Sequence, residues 1–328
     1  MTSSAVHALA NRLRPHGWIT PLYRAMTHRC TIAGAIFVLL ISCAASMPVS
    51  ARQTQESDGR GRYIFSNWDG PPIPVWYQVP DSILPDTPVV VVMHGVNRDA
   101  DRYRDEWAAV AKDYGLIVIV PEFSETDFPG SLGYNTGFFI GADATPRPRN
   151  LWSFAVIEPL FNEARRRFST AVPRYTLYGH SAGGQFVHRF VMAMPEARIE
   201  RAISANAGWY TMPDPSIAFP YGMGGVPMTE DHIAAALGKP LLVLLGTADT
   251  DTNDPNLRKT REANLQGPHR YSRGKRFFAA GQTVAARLGI PFAWTQEDVI
   301  GAGHQNRLMA EAAAKKIAGA GDGDNSKR

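Results

Sequence analysis

The run PVVVVMHG at residues 88–95 constrains the fold more than any other stretch. Consecutive β-branched residues offer no polar face, so a strand made of them must be covered on both sides. LIVIVPE (116–122) is a second buried strand of the same kind. RYIFSN (62–67) and IPVWYQVP (73–80) read as antiparallel opening strands, and RYTLYG (174–179), RAISANAG (201–208), PLLVLLGTAD (240–249) and PFAWTQEDV (291–299) bring the total to eight. Helical patterns at 101–115, 150–168, 182–194, 273–289 and 305–318 separate them. This alternation predicts an α/β fold: a mostly parallel eight-stranded sheet with helices on both faces. In such sheets, ligands bind beyond the carboxyl ends of the strands.

The formal charge of +4 does not belong to that domain. Residues 1–50 hold Arg12, Arg14, Arg24 and Arg29 and no acidic residue, which accounts for the whole excess. The rest of the chain is formally neutral, so charge gives no reason to expect a nucleic-acid partner. Residues 1–51 read as a targeting segment. TIAGAIFVLLISCAAS is strongly apolar, basic residues precede it, and Val49 and Ala51 have the spacing of a cleavage site. Three readings stay open: cleaved export to the periplasm or beyond, lipidation at Cys43 within LISC, or an uncleaved anchor through residues 31–47. A membrane is a partner only in the last two cases. Residues 52–61 read as a linker, 62–318 as the folded domain, and 319–328 as a frayed tail. Both cysteines, Cys30 and Cys43, fall in the leader, which leaves the domain without a disulfide, a Cys-ligated metal or a thiol nucleophile.

LYGHSAGGQF (177–186) carries the chemistry. Ser181 follows a strand end directly and a helix starts at once, with Phe186, Val187, Phe190, Val191 and Met194 as its apolar stripe. Such a corner forces the serine into a strained backbone conformation and needs small residues two positions away, here Gly179 and Gly183. It lifts the hydroxyl clear of the sheet and aims the amide of Ala182 at the same point, where an oxyanion would develop. A serine hydroxyl needs a base, and the base needs an orienting acid. Asp249 lies just beyond the strand PLLVLLG and His304 just beyond the last strand, in the order serine, acid, histidine. Asp251 is the alternative acid, and His269 the other histidine after the acid loop. The second oxyanion donor is expected from the loop after VVVVMHG, at Val96 or, next, Asn97. DTDTNDP (249–255) hints at a calcium loop. However, its sixth position is Asp254 rather than Gly and its twelfth is Thr260 rather than Glu, so no metal is expected. No cofactor is required.

Two loops could form the rim. Residues 206–228 are rich in aromatic, Met, Gly and Pro residues without helical or strand period. Trp209, Tyr210, Phe219, Tyr221 and Met223 would supply an apolar wall, or the loop packs on itself. Residues 124–139 are the second.

As a set, HGV, GHSAGG, GTAD and GAGH resemble the α/β-hydrolase superfamily. They are most similar to its esterase branch related to poly(3-hydroxybutyrate) depolymerases and feruloyl esterases, over roughly residues 62–318. The resemblance implies Ser181 as nucleophile, His304 as base and then acid, Asp249 as its orienter, and Val96 with Ala182 as oxyanion donors. It implies hydrolysis of a small-molecule or oligomeric ester. The absence of disulfides and of an added polymer-binding domain favours a smaller soluble ester. Acyltransferase, peptidase or amidase chemistry would use the same site. A non-catalytic exported binding protein on this scaffold would usually lack a member of the triad.

Overall fold

The computed structural model describes residues 58–143 and 145–319. The leader with its anchor stretch and Cys43, most of the linker, and the tail beyond Gly319 lie outside the described residues.

The chain runs β1 (Arg60–Phe65), β2 (Ile73–Gln78), β3 (Val89–Met93), α1 (Ala100–Asp113), β4 (Ile117–Pro121) and the single turn α2 (Gly130–Gly133). It continues through α3 (Ile157–Phe168), β5 (Tyr175–His180), α4 (Ala182–Ala193), β6 (Ile199–Ala205), α5 (Glu230–Leu237) and β7 (Leu241–Gly246). It closes with α6 (Arg261–Gln266), α7 (Arg270–Leu288), β8 (Thr295–Val299) and α8 (Asn306–Ala318). The eight strands form one sheet in the order β1-β2-β4-β3-β5-β6-β7-β8. β2 pairs antiparallel with β1 and β4, and every other pairing is parallel. The expected fold class is therefore the observed one.

Burial follows the composition of each strand. All five residues of β3 and all five of β4 are buried. One face of the sheet carries α1 and α8, which pack Tyr103, Trp107, Met309 and Ala313 against Val90, Val118 and Ile203. The other carries α3, α4, α5 and α7, which contribute Phe161, Phe186, Phe190 and Phe277. Helix α3 starts at Ile157 rather than at residue 150. Pro159 has no N–H to donate and is tolerated only in the first turn, so a helix from 150 would break there. Short helices α5 and α6 went unpredicted. Among the described residues no helix is long and apolar enough to cross a membrane.

Two histidines pin loops to this frame. At the end of β3, His94 Nε2 accepts the Phe123 N–H at 3.0 Å, which leaves Nδ1 to donate to Gly95 O at 3.0 Å. In α4, His188 Nε2 accepts the Thr211 N–H at 3.0 Å and Nδ1 faces Gly184 O at 3.0 Å. Each ring needs one bare nitrogen, so each must be neutral. Burial pushes the His94 imidazole down to about 4. Burial, with Arg189 beside it, pushes His188 well below its ordinary value.

The unfolded chain protonates these rings near pH 6.5 and the folded chain does not, so stability is complete above that pH and is lost as pH falls towards 4. His94 alone removes about 1.4 kcal/mol at pH 5.5. Urea midpoints at pH 7.5 and 5.5 measure this. His94→Gln, which keeps an acceptor for Phe123 N–H, should be less stable at pH 7.5 but show a shallower fall between the two. An identical fall would remove His94 from the account.

Candidate active site

β5 ends at His180, and Ser181 turns the chain with φ 57° and ψ −116° before α4 begins at Ala182. Left-handed φ at a non-glycine residue is strained and needs enforcement. Backbone packing enforces it. A Cβ on Gly179 would lie 2.2 Å from Gly183 O, and one on Gly183 would lie 2.0 Å from Met93 O. Both glycines are therefore required where α4 crosses β5 and β3. The Ser181 N–H is held by Ala205 O at 3.0 Å, and Ser181 O receives the first helical bond, from Gln185 N, at 3.0 Å.

Two other strand ends reach this corner. His304, on the loop between β8 and α8, places Nε2 3.0 Å from Ser181 Oγ. Its Nδ1 lies 2.7 Å from Asp249 Oδ2, on the loop after β7. Asp249 is 2% exposed, whereas the His304 side chain is 23% exposed. The acid loop is sorted by its contacts. Asp249 meets His304, Asp254 Oδ2 accepts from Arg270 Nη1 at 2.8 Å, and Asp251 caps Asn253 N at 2.8 Å. His269 stands apart as the N-cap of α7, its side chain accepting from Ser272 N. Among the described residues no group of three or more His, Cys, Asp or Glu could hold a metal ion. A hydroxyl bonded to an imidazole that a buried carboxylate orients can act as a nucleophile.

Asn206 was not singled out in the sequence. It follows β6 with φ 44° and is fully buried. Its Oδ1 accepts from Gly246 N at 2.7 Å, at the end of β7, and its Nδ2 donates to Gly303 O at 3.0 Å, beside His304. One amide thus ties the acid-bearing and histidine-bearing loops together. His180, buried, sets its ring 4.7 Å from that of His304, tilted by 40°, and faces Tyr103 Oη at 3.0 Å. Burial, then the neighbouring His304 and Arg270, hold it well below its ordinary value. It stays neutral and does not repel a charge on His304.

Two cavities meet at Ser181. One, of about 350 Å³, is bordered by His180, His304, Gln305 and Asn306. The other, of about 250 Å³, is bordered by Ala182, Gln185, Gly208, Trp209, Arg258 and Arg270. Val96 borders both, and Asn97 the first alone. Of the five residues expected to form an apolar wall, only Trp209 faces these cavities. Tyr210 and Met223 are buried in the core, Tyr210 stacked on Phe277. Phe219 packs on Phe139, and Tyr221 hydrogen-bonds Thr260 and Arg258. The segment folds on itself because the core takes its large side chains, and arginines stand where the apolar wall was expected. The 124–139 rim does reach the second cavity, through Glu125, Gly130, Ser131, Tyr134 and Asn135.

No protein-family model matches the chain, and no curated protein sequence does. Solved structures match closely. A poly(aspartic acid) hydrolase from Sphingomonas sp. KT-1 is 49% identical with a TM-score of 0.77, over 78% of this chain and 97% of that one. A poly(3-hydroxybutyrate) depolymerase from Bordetella parapertussis is 38% identical with a TM-score of 0.75, over 80% of this chain and 91% of that one. The chain belongs to the α/β-hydrolase superfamily. An S-formylglutathione hydrolase from Agrobacterium tumefaciens, at 17% identity and a TM-score of 0.53, shares the fold.

In this α/β-hydrolase, Asn206 should act by position. Asn206→Ala leaves a buried N–H and a carbonyl unsatisfied, which costs about 1–3 kcal/mol for each group. Slight misplacement of His304 should lower kcat by up to about 100-fold with little change in KM. Steady-state kinetics beside a melting curve check this. Unchanged kcat in a destabilised protein would make Asn206 purely structural.

Proposed function

We propose that the chain is a serine hydrolase that cleaves carboxylic esters through an acyl-enzyme intermediate. The supporting observation is the unbroken path from Ser181 Oγ through His304 to Asp249, mounted on a strained strand-to-helix corner. In this reading Ser181 Oγ attacks the carbonyl carbon while His304 Nε2 takes its proton. Asp249 accepts the Nδ1–H and steadies the imidazolium, so the histidine keeps the right tautomer. The carbonyl oxygen becomes an oxyanion, held by the amides of Ala182 and Val96. The N-terminal end of α4 adds its dipole. His304 then gives the proton to the departing alcohol, and water repeats the sequence on the acyl-enzyme.

A second reading, amide hydrolysis at the same site, is favoured by the likeness to a hydrolase named for poly(aspartic acid), a polyamide. Competing nucleophiles separate hydrolysis from acyl transfer by their products. Export belongs to the same proposal, supported by the uncharged run ahead of Ala51. N-terminal sequencing of the protein recovered outside the cytoplasm tests it.

Ser181→Ala should lower kcat on p-nitrophenyl acetate by roughly 10⁶-fold and leave the melting temperature nearly unchanged. It should also abolish labelling by a fluorophosphonate. Substantial turnover by that variant, or labelling at another residue, would sink the mechanism.

A further inference from the structure

His304 hands its proton to the leaving atom, so the leaving group must lie on the His304 side of Ser181. The cavity of about 350 Å³ that His304 borders is therefore the leaving-group side. The cavity of about 250 Å³ borders Ser181 and Ala182 but not His304, so it receives the acyl portion. This assignment rests on the hydrolase reading above.

The acyl cavity has more cations than anions. Arg98, Arg258 and Arg270 border it, and Glu125 is the one carboxylate among its lining residues. Glu125 is spent on Arg98 at 3.0 Å and is largely exposed. Arg98 is further held by the carbonyls of Phe123, Phe128 and Gly130, so it is a fixed strut. Arg270 is 1% exposed and pairs through Nη1 with Asp254 and, at 3.5 Å, with Asp249. Its buried Nε has no partner.

That bare Nε lies beside Gly208. A Cβ there would sit 4.0 Å from it and 3.1 Å from Gln185 Nε2. Gln185 Oε1 is occupied by Asn135 Nδ2 at 2.7 Å, which turns the amide nitrogen towards Gly208. Gln185 Nε2 therefore lies beside Gly208 at the cavity wall, with the buried Arg270 Nε behind it.

Arg258 completes the set. Its Nε donates to Tyr221 Oη at 2.7 Å, and its guanidinium stands 4.6 Å from the centre of the Trp209 ring. No carboxylate among the described residues pairs with it. Behind it, Arg189 lies 4.1 Å from the same ring, bonded to Thr211 and two carbonyls, and Arg273 is bonded to three carbonyls and the side-chain oxygen of Asn264. The charges of Arg258, Arg189 and Arg273 are held by π-faces, a hydroxyl or carbonyl dipoles, which fix the guanidinium groups without neutralising them. A planar fork bordering a partly open cavity matches a carboxylate.

We propose that the acyl cavity is a carboxylate subsite, with the terminal nitrogens of Arg258 as its principal contact and Gln185 Nε2 as a supporting donor. The preferred substrates then carry a carboxylate on a short acyl chain.

The test compares monoethyl succinate and monoethyl glutarate with the carboxamides ethyl succinamate and ethyl glutaramate, which share length and leaving group. The native enzyme should favour the hemiesters in kcat/KM by about 10- to 100-fold, a preference weakened by added salt. Arg258→Gln should cut that ratio at least tenfold, mainly through the KM of the hemiesters, and Arg258→Lys should restore part of it. Binding to the inert Ser181→Ala variant, followed by calorimetry, should discriminate in the same way and lose discrimination in Ser181→Ala/Arg258→Gln. Melting curves of each variant exclude misfolding. Equal binding of acid and amide by Ser181→Ala would overturn the subsite. Selective binding with no turnover by the native chain would spare the subsite and sink the hydrolase reading instead.

Discussion

The site depends on one steric fact: helix α4 passes over β5 and β3 at backbone contact distance. Gly183 lies against the Met93 carbonyl and Gly179 against that of Gly183, at separations no Cβ tolerates. Because the helix is pressed to the sheet there, Ser181 has no relaxed conformation available. Its φ of 57° follows from the packing around it. The same approach sets the first amide of α4 beside the end of β3, from which the Val96 loop departs. Ser181 and the Val96 loop are thus positioned by one contact, and His94, which ties the end of β3 to Phe123 at the end of β4, keeps that loop in register.

The acid and histidine loops are held by a different device. They leave neighbouring strands, β7 and β8, so parallel pairing already brings their roots together. Asn206 supplies the last restraint, since its amide reads the backbone of both. An amide suits the task because it donates at one end and accepts at the other, and the left-handed φ of 44° is one that asparagine tolerates better than most residues. The neutral His180 ring against His304 adds contact without adding charge.

This division explains what could be read from the residues alone. Ser181, Asp249 and His304 each follow a strand end in sequence, and strand ends are marked by local pattern. The fold was legible for the same reason: eight apolar runs alternating with helical patterns leave few arrangements. What pattern did not mark were residues whose partners lie far away in the chain. Asn206 sits at the tail of an apolar run, and its partners are 40 and 97 residues away. The aromatic segment at 206–228 carried composition but no period, so nothing local said which side chains would turn inward. Tyr210 and Met223 turned into the core, and Trp209 alone reached the cavity. The arginines of the acyl cavity come from separate elements, and a chain that is formally neutral overall beyond its leader gives no hint of their convergence.

That convergence places two opposite electrostatic demands within one turn of chain. In the proposed mechanism Asp249 keeps its charge available to His304, and a guanidinium bonded tightly to it would compete with the imidazole. Arg270 approaches Asp249 only to 3.5 Å and gives its closer bond, at 2.8 Å, to Asp254. Burial pushes the Asp254 carboxyl up, but the Arg270 hydrogen bond, the Asn256 N–H and the nearby positive charge together outweigh it and leave the group below its ordinary value. Asp254 therefore remains the anion that draws Arg270 aside. Arg98 pairs with Glu125, whereas Arg258 is held by the Trp209 ring and the Tyr221 hydroxyl, neither of which carries a compensating charge. Arg258 borders the smaller cavity, while Asp249 Oδ2 stays turned towards His304.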